Sequence, residues 1–181
     1  MLVCVDTGKY GTKAITMDEN GELKKFYVRT KVEPLTENSY ENGKEKTYIM
    51  EYNGARYRIG EEANTMELDT TKTTLNHKLT ILLSLAKLVE DENEPISIII
   101  GCPLTVFTNI QKKEELCKFM KDGSPFNVSI NGKHKTINVV RVMTLPESLG
   151  VAYQKMEVNM KKLLGVIDIG GLNTNAAIYE R

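Results

Sequence analysis

The chain has 181 residues, and its formal net charge is zero because 24 Lys and Arg balance 24 Asp and Glu; this excludes a general electrostatic attraction to nucleic acid or to a membrane surface. A hydrophobic share of 41% and a charged share of 27% describe an ordinary globular protein, with length for one good-sized domain or one domain and part of another. Cys4, Cys102 and Cys117 lie far apart without a CxxC pair, the apolar start is too short for a signal peptide, and no apolar run reaches the roughly 18 residues of a membrane span, so a reduced, cytoplasmic protein is expected.

In chain order, residues 2–6, 12–18 and 23–31 read as three strands joined by short turns, an antiparallel meander with a hairpin signal at Asp18-Glu19-Asn20-Gly21. A polar loop follows over residues 32–46. Residues 47–52 and 55–59 flank Asn53-Gly54, a strong two-residue hairpin signal, and a short helical stretch is expected after Gly60 at Glu61-Glu62. The block over about residues 33–72 therefore reads as a small insertion in a larger sheet. Leu75, Leu79, Leu82, Leu83, Ala86 and Leu88 are spaced for a helix over 74–90. Residues 96–100 are nearly all apolar, as in a parallel strand covered on both faces, and end at Gly101-Cys102-Pro103. A more exposed helix is expected over 111–121. A hairpin around Asn131-Gly132 follows, its second strand (136–142) able to continue into the main sheet. A third helix is expected over 147–164, then two strands, 166–169 and 175–179, around a Gly-Gly turn.

The chemistry lies in two turns. Val5-Asp6-Thr7-Gly8-Lys9-Tyr10-Gly11-Thr12-Lys13 is an apolar strand that ends in a carboxylate, turns through glycine and returns. Glycine lets a backbone approach a ligand or take positive φ, and successive amide N–H groups in such a turn form an anion nest. The carboxylate suits the water shell of a Mg²⁺ ion, and Lys9 or Lys13 suits phosphate oxygens. An ordinary β-hairpin whose Asp caps a turn would carry the same residues. The pattern repeats at Val166-Ile167-Asp168-Ile169-Gly170-Gly171-Leu172-Asn173-Thr174-Asn175. Two such turns about 160 residues apart suit a clamp that grips a phosphate chain from both sides.

These segments, with Tyr57-Arg58-Ile59-Gly60-Glu61-Glu62-Ala63, Ile98-Ile99-Ile100-Gly101-Cys102-Pro103 and Pro146-Glu147-Ser148-Leu149-Gly150-Val151-Ala152-Tyr153, span nearly the whole chain. In that order they resemble the actin superfamily, which includes actin, the large heat-shock chaperone ATPases and sugar kinases. Within it the resemblance is to bacterial plasmid-segregation ATPases of the ParM/StbA type. It implies an α/β ribonuclease-H-like fold, a mixed five-stranded sheet flanked by helices with a small inserted subdomain. Residues 1–162 would form domain I and 163–181 the start of domain II, the rest of which is missing. It implies ATP (or GTP) with Mg²⁺ as cofactors: Asp6 and Asp168 hold the ion through water. Thr7, Gly8, Lys9, Tyr10 and Gly11 on one side, and Gly170, Gly171, Leu172, Asn173 and Asn175 on the other, wrap the β- and γ-phosphates, and Lys13 reaches them. Glu147 would orient the attacking water, a role open to a carboxylate at a helix start near two phosphate turns. Pro-Glu-Ser at a helix start also favours the helix dipole without any catalysis.

The same resemblance implies partners: copies of the chain in a filament, and DNA only through an adaptor, with no membrane and no direct nucleic-acid contact. Asn175 stands where the plasmid-segregation branch often has an acid near the catalytic water, which implies slower or differently organised hydrolysis. A small-molecule kinase of the same superfamily and a non-catalytic half-domain remain alternative readings. His77 and His134 suggest no metal pair, Cys102 is expected to be buried, and Lys112-Lys113-Glu114-Glu115 to face solvent on a helix. The polar 33–46 stretch suits either a filament contact or a surface loop.

Overall fold

In a computed structural model of the protein, residues 1–36, 45–66, 68–91, 94–159, 163–170 and 174–180 are described. The meander forms as expected: β1 (Leu2–Thr7), β2 (Gly11–Met17) and β3 (Leu23–Arg29), with Asp18 Oδ1 accepting from the amides of Asn20 and Glu22 at 2.9 Å to fix the second turn. A further strand, β4 (Val32–Leu35), follows where a loop was expected. β5 (Thr47–Tyr52) and β6 (Ala55–Gly60) flank Asn53-Gly54, whose φ angles of 51° and 76° are those of the mirror-image turn that this dipeptide favours.

The helix expected after Gly60 is absent; residues 61–62 form only a turn. The amide of Gly60 donates to Lys31 O and that of Glu61 to Lys46 O, and a single bond from Ala63 N to Gly60 O closes the turn. Helix α1 (Leu75–Leu88) is capped by Thr74, whose side chain accepts from the His77 amide. β7 (Pro95–Cys102) leads into the four-residue α2 (Leu104–Phe107), which the sequence pattern did not announce. Then comes α3 (Ile110–Lys121), capped by Asn109 and exposed at Lys112, Glu114 and Glu115.

β8 (Phe126–Ile130) and β9 (Lys133–Pro146) turn at Asn131-Gly132, with φ of 50° and 78°. α4 (Leu149–Asn159) is shorter than the 147–164 expected. Glu147 is still tied to β7, its amide donating to Cys102 O at 2.9 Å, and Leu163 already pairs with Glu180. The last hairpin is β10 (Leu163–Ile169) and β11 (Thr174–Glu180).

The sheet order is β3-β2-β1-β7-β9-β8-β5-β6-β4. Its first five strands are the expected mixed sheet: β1 is antiparallel to β2 and parallel to β7, and β7 is parallel to β9. β9 is long enough to serve twice. Its later half pairs with β7, and its first residues pair with β8, which in turn meets β5. Two residues into the half that pairs with β7 the register skips Val140, a β-bulge, and bulges bend the strand that carries them.

α1 packs on β1, β2, β3 and β9, and α3 packs on β9. Leu79, Leu82, Leu83 and Leu85 of α1 are fully buried with Val3, Ile96, Ile98 and Ile100 of the central strands. Because α1 is buried on nearly every side, Thr80, Ser84 and His77 are buried with it; the Thr80 and Ser84 hydroxyls donate to carbonyls of their own helix. Among the described residues, no helix is long and apolar enough to cross a membrane. The three parallel strands end together: Val5 is beside Ile100, and Cys102 beside Pro146. The carboxyl ends of parallel strands are where open α/β sheets leave a crevice.

Candidate functional site

A cleft of about 320 Å³ opens at those strand ends. Asp6 comes to it from the end of β1, and Thr7, Gly8, Lys9, Tyr10 and Gly11 from the turn, which Gly8 N closes by donating to Gly11 O at 3.1 Å. Lys13 enters from β2, opposite Asp6 in the hairpin register, with its ammonium 3.9 Å from the Asp6 carboxylate. Asp168, Gly170 and Asn175 line the far side, from β10, the turn after it and β11, and Glu147 stands between the two hairpins. The expectations for Gly171, Leu172 and Asn173 lie outside the described residues.

Glycine serves the first turn differently from the sequence expectation. Neither Gly8 nor Gly11 takes a positive φ. At Gly11 the reason is space: a Cβ there would stand 2.5 Å from Cε2 of Tyr27, whose ring covers the turn from β3. Partial burial holds the Tyr27 hydroxyl above its usual pKa.

Glu147 is held at both of its carboxylate oxygens. Its Oε2 accepts from Asn175 Nδ2 at 2.9 Å and its Oε1 from Lys72 Nζ at 2.5 Å, while its main-chain carbonyl accepts from the Tyr179 hydroxyl at 2.9 Å. Asn175 and Tyr179 thus bond the second hairpin to Glu147. Each carboxylate oxygen keeps a further lone pair, so Glu147 can still accept from a water.

Lys72 is a cleft residue that sequence reasoning missed. Its side chain is 5% exposed, and its ammonium donates to Gly101 O at 2.7 Å, pairs with Glu147, and lies 3.6 Å from Asp6 Oδ1. A single buried cation therefore stands between the two acids nearest the strand ends. Its backbone is left-handed, with φ of 64°, a conformation that a non-glycine residue holds only where its surroundings impose it. Asp69, two residues before Thr71, also lines the cleft; the Thr71 hydroxyl bonded to it holds its carboxyl below the usual range. The run Asp69-Thr70-Thr71-Lys72-Thr73-Thr74 reads as a polar lead-in to a helix, and nothing in its periodicity distinguishes Lys72 from a surface lysine.

His77, which also lines the cleft, and Cys102 are buried. His77 is 1% exposed, its ring Nδ1 bonded to Thr74 Oγ1 at 2.9 Å. Cys102 is fully buried, and burial pushes its thiol pKa up, which argues against a nucleophile.

A mixed five-stranded sheet with a carboxylate-bearing hairpin at either side of a cleft defines one half of an actin-type fold. The chain belongs to the family of actin-like proteins: the model described as "Actin like proteins N terminal domain" matches residues 4–150. No match is found among curated proteins. Among solved structures, the chain superposes on AlfA from the B. subtilis plasmid pLS32, solved as a filament, with a TM-score of 0.74 at 17% identity, covering 99% of this chain and 68% of that one. The Alp12 filament matches with a TM-score of 0.72 at 27% identity, over 99% of this chain and 56% of that one. Ta0583, an archaeal actin homologue solved in complex with ADP, gives 0.71 at 16% identity, over 99% and 55%. The chain thus spans between 55% and 68% of the length of these three structures.

Proposed function

We propose that the chain grips the phosphates of ATP (or GTP) within an actin-like ATPase that assembles into filaments, and that these move plasmid DNA through an adaptor protein in the cytoplasm. The observation that carries this reading is the meeting of both acid-bearing hairpins and Glu147 at one cleft. The filament part is supported by the solved filaments of AlfA and Alp12, and the nucleotide part by the ADP complex of Ta0583.

The donor set fits magnesium bound through its water shell. The Asp6 side chain is 51% exposed, and among the described residues no group of three or more His, Cys, Asp or Glu forms a protein cage; Mg²⁺ keeps several waters and takes few protein ligands. Asp6 and Asp168 would hold it, and it would supply neutralisation of charge on the transferred phosphoryl group. The first turn would offer amide N–H groups and Lys13 an ammonium to phosphate oxygens. Glu147 would orient a water for in-line attack on the γ-phosphorus and accept its proton as the bond to the leaving diphosphate breaks. Lys72 and Asn175, which bond its two oxygens, would set its direction. With Asn175 a donor, the site has no second acid at that position to repel Glu147.

The test is a titration of the chain with fluorescent ATP and GTP analogues, with and without Mg²⁺, together with light scattering on nucleotide addition. Asp6→Ala and Asp168→Ala should abolish the Mg²⁺-dependent binding, and Glu147→Gln should keep binding while losing phosphate release. Absence of binding by the unaltered chain at millimolar nucleotide refutes the reading.

A further inference from the structure

Behind the first turn, four threonines form a chain of hydroxyls, of which Thr7 lines the cleft and Thr12, Thr30 and Thr80 do not. Thr7, Thr12, Thr30 and Thr80 are all fully buried. Thr7 and Thr12 are 3.1 Å apart through their Oγ1 atoms, Thr12 and Thr30 are 3.0 Å apart, and Thr12 donates to Thr80 at 2.9 Å. Buried hydroxyls are costly unless paired, and each has one proton to give. Thr80 gives its proton to the α1 carbonyls of Asn76 and His77, and Thr12 gives its own to Thr80. The Thr30 proton is then left for one of two acceptors: Gly8 O at 2.6 Å, or Thr12 Oγ1 at 3.0 Å. The shorter contact is to the turn.

Thr30 also meets the turn with its backbone. Its amide donates to Tyr10 O at 3.3 Å, and the same carbonyl accepts from Arg29 Nε at 2.9 Å, with the Arg29 guanidinium 3.5 Å over the Tyr10 ring. Two carbonyl oxygens of the turn, Gly8 and Tyr10, are thus drawn to the side of residues 29 and 30. A carbonyl oxygen turned toward a phosphate would repel it, and each one fixed elsewhere leaves the amides as the turn's contribution to the cleft. We infer that Thr30 is a positioning residue for phosphate binding: its hydroxyl holds the Gly8 carbonyl out of the cleft, while Arg29 and the Thr30 amide do the same for Tyr10. This rests on the nucleotide reading above and adds a residue that does not line the cleft.

The experiment compares the affinity for Mg²⁺-ATP of the unaltered chain with Thr30→Val, Thr30→Ser and Thr80→Val, and measures the thermal stability of each. Thr30→Val removes the hydroxyl at nearly constant volume and should weaken binding about tenfold, the size expected from one misdirected dipole next to a multiply charged ligand. Thr30→Ser should restore affinity to within about threefold, since it restores the hydroxyl. Thr80→Val breaks the same buried chain at its far end and should lower stability but keep affinity. Unchanged affinity in Thr30→Val overturns the inference. So does an equal loss of affinity in Thr30→Val and Thr80→Val, which would reduce the effect to general destabilisation. Failure of the unaltered chain to bind refutes the nucleotide reading itself, and this inference with it.

Discussion

Replacing Lys72 by Met tests whether the acids of the cleft depend on one buried cation. Lys72 and Glu147 have side chains 5% and 15% exposed, so little water is available to replace either partner. The substitution leaves Glu147 with Asn175 as its remaining side-chain donor and strips Gly101 O of its bond. Breaking a buried pair by removing one member costs roughly 3–5 kcal/mol, and Glu147 keeps one donor and some solvent, so the lower end, about 3 kcal/mol, applies. Glu147→Gln should cost about 2 kcal/mol, because Lys72 retains Gly101 O and Asp6. In the double variant neither charge is left facing an empty site, so the loss should be about 3 kcal/mol, a coupling of about 2 kcal/mol. For a chain of this size about 3 kcal/mol lowers Tm by roughly 6–12 °C. Urea and thermal unfolding followed by circular dichroism measure the cycle, and repeating it in 1 M salt should leave the coupling nearly intact, since a buried pair is poorly screened. Additivity of the two single losses to within about 0.5 kcal/mol would show that the pair is a surface contact and refute the argument.

Gly60→Ala should cost roughly 3 kcal/mol or more, seen as a large Tm loss, because φ there is 120° and a Cβ would lie 2.2 Å from the main-chain oxygen of Lys46, which cannot swing away. Gly11→Ala meets the Tyr27 ring instead, so it should cost about 1–2 kcal/mol in the unaltered background and much less alongside Tyr27→Ala. Folded Cys102 holds its proton above the ordinary thiol value of 9.0, so its contribution is present below that pH and is lost as pH rises through the folded value; Cys102→Ala should flatten the alkaline fall of stability measured by urea unfolding. Asn175→Asp would set a second carboxylate against Glu147 Oε2 in place of a donor, and should raise the pH at which nucleotide turnover reaches its plateau, read from a rate profile.

Much of the fold was legible because hydrophobic period and turn chemistry are local signals. Asn53-Gly54 and Asn131-Gly132 took the left-handed angles their side chains permit, and Ile96, Ile98 and Ile100 marked the central parallel strand. What failed was decided by partners distant in sequence. The backbone at Gly60 and Glu61 was claimed by Lys31 and Lys46, which no window around residue 60 contains. The third helix ended early because β10 begins at Leu163, pairing with a strand near the end of the chain. Asp6, Glu147 and Asp168 were visible because each stands near a strand end beside glycine or proline; Asp69, in a polar loop, was not. Lys72 was not: its partners are 29 and 75 residues away, and only a left-handed backbone in a polar loop aims it inward. Thr30 escaped because its hydroxyl partners are 18 and 22 residues away in sequence.

The charges that line the cleft bear on how it could hold a polyanion. Asp6, Asp69, Glu147 and Asp168 face Lys9, Lys13 and Lys72, so the side chains there sum to a slight negative charge, and Lys72 is already committed to Glu147. Side-chain charge alone therefore opposes a nucleoside triphosphate. Under the nucleotide reading the attraction must come from main-chain amides and from a divalent ion that arrives with the phosphates and satisfies Asp6 and Asp168. That makes the orientation of the turn's peptides more consequential than the number of its lysines. It also explains how a chain with no net charge can present a phosphate site without a basic patch.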